Sequence, residues 1–168
     1  KSVLGEEVVV KLDEDTYVDC KLFAQSKIGW ENLLFINSEI NVFNEKKYVD
    51  LEKLKSFSED LVLVLTPSWL PHSNILLIQD LKKCFDVYFQ VDTVEYVDDE
   101  EDEKFLTLLK EYFDKYLNIV PPVLINDTYY LDRVDSFIKE ELNSISGHKF
   151  QPASENQYFK SVKDNFDI

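Results

Sequence analysis

The stretch Leu61-Val62-Leu63-Val64-Leu65-Thr66-Pro67-Ser68-Trp69-Leu70-Pro71-His72-Ser73 decides the fold. Its first six residues form a continuous apolar run without alternation, which is the mark of a strand covered on both faces. Pro67 ends the run, because it has no N–H to give to a ladder. A helix is expected from about residue 73 to 85, and a strand over 87–92. Working back towards the N-terminus, Asp50 can cap a short helix whose apolar positions are Leu51, Leu54 and Phe57. Residues 33–36 and 40–43 read as two further short strands, after a break at Gly29. Residues 7–23 alternate as a hairpin does: Val8, Val10 and Leu12, a turn at Asp13-Glu14-Asp15, then Val18, Cys20 and Leu22.

Towards the C-terminus, an acidic run over 98–103 leads into the clearest helical pattern of the chain. Phe105, Leu108, Leu109, Tyr112, Phe113, Tyr116 and Leu117 fall on one stripe, and acids in the first turn suit the positive end of the helix dipole. After Pro121-Pro122, residues 123–125 read as a strand, Asn126-Asp127 as a turn and 128–131 as another short strand. Asp132 starts a last amphipathic helix with Val134, Phe137, Ile138, Leu142 and Ile145 inward, and Gly147 stops it. The tail, residues 147–168, is polar but punctuated by Phe150, Tyr158, Phe159, Val162 and Phe166. Ser154 and Gln157 have the spacing of a capping box. So many aromatics in a tail predict that it docks on the domain or on a second subunit. The order from residue 40 is β-α-β-α-β-α-β-β-α, without an internal repeat.

Composition narrows the function. The 168 residues carry 33 acids and 18 bases, a formal charge of −15, which opposes direct nucleic-acid binding because phosphate neutralisation needs a basic surface. No run approaches a membrane span, and a cytoplasmic protein is expected. With 45% hydrophobic and 14% aromatic residues the chain can fill a core. Cys20 and Cys84, 64 positions apart, form no CxxC and no disulfide framework. With His72 and His148 as its two histidines, the chain is not expected to hold a zinc site or any other metal or cofactor. Arg133 is the single Arg, and Lys, Asn, Ile, Phe and Tyr abound. That bias fits an AT-rich genome, such as those of low-GC bacteria and their phages. There is no Met, so the initiator is expected to be removed or to lie outside this numbering, and Lys1-Ser2-Val3 does not read as a signal peptide.

The run 61–73 resembles the active-site strand and turn of the thioredoxin family, in which an apolar strand leads to Trp-Cys-x-x-Cys at a helix N-terminus. The segment Ile119-Val120-Pro121-Pro122-Val123-Leu124-Ile125 is similar to the family's cis-proline segment, with Pro121 as that proline. The resemblance covers residues 40–146. It implies a three-layer α/β (α+β) sandwich, a central mixed sheet with helices on both faces. Residues 1–39 would then be an N-terminal β-hairpin extension, and 147–168 a docking tail.

The family's chemistry does not come with it. Thiol exchange needs a thiolate and a resolving thiol two residues on, and Leu70 and Ser73 stand in those places. The family's buried acid would fall at Val64. Ser without an activating base is a poor nucleophile, and His72 beside Ser73 in a turn has poor geometry for that role. No catalytic residue is expected. Trp69, Leu70, His72, Ser73 and Pro121 are candidates for a vestigial substrate groove.

A denser feature is the acid cluster Asp92, Glu95, Asp98, Asp99, Glu100, Glu101, Asp102 and Glu103. It can be a solvated helix entrance, a weak calcium site lacking the Asp-x-Asp-x-Asp-Gly spacing, or a contact for a basic protein. Residues 1–60 carry 13 acids against 8 bases, and 61–168 carry 20 against 10. The negative field therefore spans the chain. Size, acidity and composition are also similar to small phage proteins that arrest host replication, in particular staphylococcal phage inhibitors of the DNA polymerase sliding clamp. That resemblance implies a homodimer seated in the clamp's basic channel, blocking its loading onto DNA. A clamp-binding peptide is matched only loosely by residues 79–85. Three classes remain: an acidic DNA mimic in a bacterial host's cytoplasm, a cysteine-less adaptor or chaperone using the old groove, and an enzyme of unrecognised chemistry.

Overall fold

The computed structural model describes residues 3–43, 47–91, 99–126, 128–145 and 157–161. Strand β1 (Leu4–Lys11) turns into β2 (Tyr17–Ala24). The turn is held by Asp13, whose Oδ1 accepts from the N–H of Asp15 at 3.2 Å and of Thr16 at 3.0 Å. Alternation then fixes which side of the hairpin faces inward: Val8, Val10, Val18, Cys20 and Leu22 are all buried.

Residues 33–36 and 40–43 are not strands. They belong to helix α1 (Lys27–Ser38) and to the π-helical turn Glu39–Phe43 that extends it. Ser26 caps α1, its Oγ accepting from Ile28 N at 3.0 Å and Gly29 N at 3.3 Å. Gly29, Leu33, Ile36 and Ile40 are buried at spacings of four, three and four, a helical stripe. Gly29, read from sequence as a break, is instead where the helix passes against the Asp60 carbonyl; a Cβ there would overlap that oxygen.

Next come β3 (Val49–Asp50), α2 (Leu51–Ser56) and β4 (Leu61–Leu65), entered through Asp60 in the left-handed region at φ 57°. A 3-10 turn (Pro67–His72) leads to α3 (Ile75–Cys84), capped by Asn74, and to β5 (Asp86–Val91). Helix α4 (Asp99–Lys115) precedes β6 (Pro122–Leu124) and, after a 3-10 turn at Arg133–Asp135, α5 (Ser136–Ile145). The sheet runs β3-β1-β2-β4-β5-β6. It is mixed: β1–β2 and β2–β4 are antiparallel, β1–β3 and β4–β5 parallel. Flanked by helices, it makes the three-layer α/β sandwich expected from the thioredoxin-like resemblance. Two details differ. The N-terminal hairpin lies inside the sheet, between β3 and β4. No cis peptide occurs among the described residues, so the bond before Pro121 is trans.

The chain forms two compact units, residues 1–90 with 111–123, and 91–110 with 124–168. The first holds the core just described. Its α2 and α3 are tied by Lys55, whose ammonium pairs with Glu52 at 2.8 Å and Asp80 at 2.5 Å. Tyr112 stacks on Phe89 at 4.1 Å between centroids and donates to Val120 O at 2.8 Å.

In the second unit the expected strand over 128–131 is reduced to a parallel bridge between Tyr130 and Tyr158. Tyr129 N donates to Gln157 O and Phe159 N to Tyr130 O, each at 2.9 Å. The described part of the tail thus docks on its own unit. Ser154 and Gly147, named for the tail's cap and the helix stop, lie outside the described residues. The stripe on α5 and its entry turn is not inward: Val134, Phe137, Ile138, Leu142 and Ile145 are all exposed. Periodicity reports a one-sided helix, not what lies against that side.

Candidate functional site

The turn after β4 is built by two hydroxyls flanking Pro67. Thr66 Oγ1 donates to Asp19 O at 2.7 Å, and Ser68 Oγ accepts from Asp19 N at 3.0 Å. The Trp69 indole N–H donates to the same Asp19 carbonyl at 2.8 Å. Strand β2 therefore anchors the turn, and Trp69 is completely buried, with Leu70 beside it at 4% exposure. These two expected groove residues are core. A buried indole needs a partner for its N–H, and here the partner is backbone.

His72 is exposed. Asp13, in the hairpin turn, keeps its carboxyl below the usual range chiefly through hydrogen bonds from Thr16 and Asp15, and the charge of His72 adds a minor contribution. Ser73 is half-buried, and its Oγ is buried without a hydrogen-bond partner among the described residues. Its carbonyl accepts from Tyr116 OH at 3.2 Å. Around Ser73 an open depression of about 570 Å³ is lined by Asn74, Ile75, Leu76, Lys115 and Tyr116. Lys115 is engaged by Glu111 at 2.8 Å. Pro121 is exposed, and its carbonyl accepts from Phe89 N at 3.0 Å, so the residue serves sheet pairing. The five groove candidates are thus divided between core and surface.

Val64, in the place of the family's buried acid, is 2% exposed. Cys20 is fully buried and burial pushes its thiol up, while Cys84 is half-buried at the end of α3. A thiol held protonated is neither nucleophile nor metal ligand. Among the described residues no group of three His, Cys, Asp or Glu is placed to hold a metal ion.

Of the acid cluster, Asp92, Glu95 and Asp98 lie outside the described residues. Asp99, Glu100, Glu101 and Asp102 occupy the first turn of α4, and Glu103 is exposed behind them. Sequence reading missed Asp19, Thr66, Ser68 and Tyr116. Two hydroxyls flanking a proline at a strand end were the available signal for the turn.

No family model matches the chain. A curated protein does: DNA polymerase III subunit alpha of Halalkalibacterium halodurans, 38% identical over 66 residues. The match covers 39% of this chain and 6% of that protein. Among the described residues no helix is long and apolar enough to cross a membrane.

Proposed function

We propose that this chain works by protein contact in bacterial DNA replication, as a module of the kind found within a polymerase III α-type polypeptide. The observation that carries the reading is the 38% identity over 66 residues to that subunit. The fold supports it. The turn where relatives of thioredoxin hold thiols is packed as core at Trp69 and Leu70, which leaves a scaffold rather than an exchange site. The charge of −15 keeps such a module off the path of DNA and turns it towards protein surfaces. In this reading the module has no reaction of its own, and nucleotide chemistry belongs to other parts of such a polypeptide.

A second reading rests on that same charge: an acidic DNA mimic that fills the basic channel of the sliding clamp and prevents its loading. Carboxylates would gain there the counterion release that phosphates gain. The two readings separate in clamp-dependent primer extension with the purified chain added. A mimic inhibits synthesis, and raising salt or adding competitor DNA relieves the inhibition. A polymerase module leaves the clamp untouched, and in affinity capture it retains replicative polymerase subunits through a wash at high salt. Recovery of neither polymerase nor clamp would sink both readings. It would favour the cysteine-less adaptor, whose partner should respond to changes around Ser73 and Leu76.

A further inference from the structure

We draw no further inference here: the strongest candidate, the exposed apolar side chains on the two flanks of α1, Ile28 and Phe35 on one and Trp30 and Leu34 on the other, carries nothing because, beyond the stack of Phe35 on Phe57, nothing in the structure shows what covers them.

Discussion

Strand β4 and helix α5 each carry a clear apolar pattern, an unbroken run in one and a stripe in the other, and the patterns have opposite fates. In β4, Leu61, Leu63, Val64 and Leu65 are at most 2% exposed, whereas Phe137, Ile138, Leu142 and Ile145 of α5 range from 43% to 80%. The difference lies in neighbours. β4 is hydrogen-bonded on both edges, to β2 and β5, so its position is set by ladders as well as by its side chains. A helix satisfies its own backbone and owes its position to packing alone. An apolar pattern is thus a statement about local conformation, and burial has to come from partners.

The widest test of that contrast pairs Trp69→Ala with Leu142→Ala in urea denaturation. Removing a fully buried indole should cost about 3–5 kcal/mol, a large part of the stability of a typical domain. The same truncation at an exposed leucine should stay within about 0.5 kcal/mol. A comparable loss at Leu142 would show that α5 is covered in solution, and the contrast would fail.

Gly29→Ala comes next. In an unobstructed helix the change gains about 1 kcal/mol. Here the new methyl meets the Asp60 carbonyl, which is backbone and cannot swing aside, so a net loss of about 1–3 kcal/mol is expected. A stabilised variant in thermal melts would mean that α1 does not sit against the β4 entry as described.

These two positions also show what the sequence could disclose. The hairpin and β4 were legible because alternation and an unbroken apolar run each correspond to one arrangement of partners. α1 was misread because Leu33–Ile36 makes a short apolar run, which helix and strand share. Only the spacing across Gly29, Leu33, Ile36 and Ile40 separates them, and a glycine by itself reads as a break. Its reason for being there is a carbonyl 31 positions away, a contact that no local pattern encodes. The division of the groove candidates between core and surface has a similar cause. Trp69 and Leu70 read as turn residues and lie in the turn Pro67–His72, but that the turn folds inward depends on Asp19, on a strand far away in sequence.

The cysteines sharpen the contrast chemically. Cys84 should react with a disulfide reagent in the folded protein, whereas Cys20 should be modified only as fast as the chain unfolds. Equal rates at neutral pH would show β2 to be open. Tyr112→Phe probes the edge of the core. It leaves the stack on Phe89 and removes the bond to Val120 O, at about 1 kcal/mol. Burial raises the Tyr112 phenol to about 12. Its folded value therefore lies above its unfolded one, and the stability it confers is complete below pH 10 and lost as pH rises through 12. In the phenylalanine variant that alkaline loss should shrink, as alkaline melts would show.

The smallest effect is expected at Asp80, on the surface of the α2–α3 tie. Its carboxyl is held below its ordinary value first by the hydrogen bond from Lys55, then by that from Lys83. A carboxyl whose folded value lies below its unfolded 3.8 stabilises fully above 3.8, and the contribution fades as pH falls through the folded value. Asp80→Asn should therefore lower Tm by on the order of 1–2 °C at neutral pH, with the gap to the unmodified chain closing below pH 3.8. The partner bounds the window on the other side. Lys55 is raised above its ordinary value by Asp80 first and Glu52 second, so its share is kept below 10.5 and lost above it. A Tm difference that is level between these limits and narrows beyond both would identify an ion pair. One that persisted at pH 2 would assign the loss to packing, since Lys55 keeps only 15% of its side chain exposed and can shift when its carboxylate is gone.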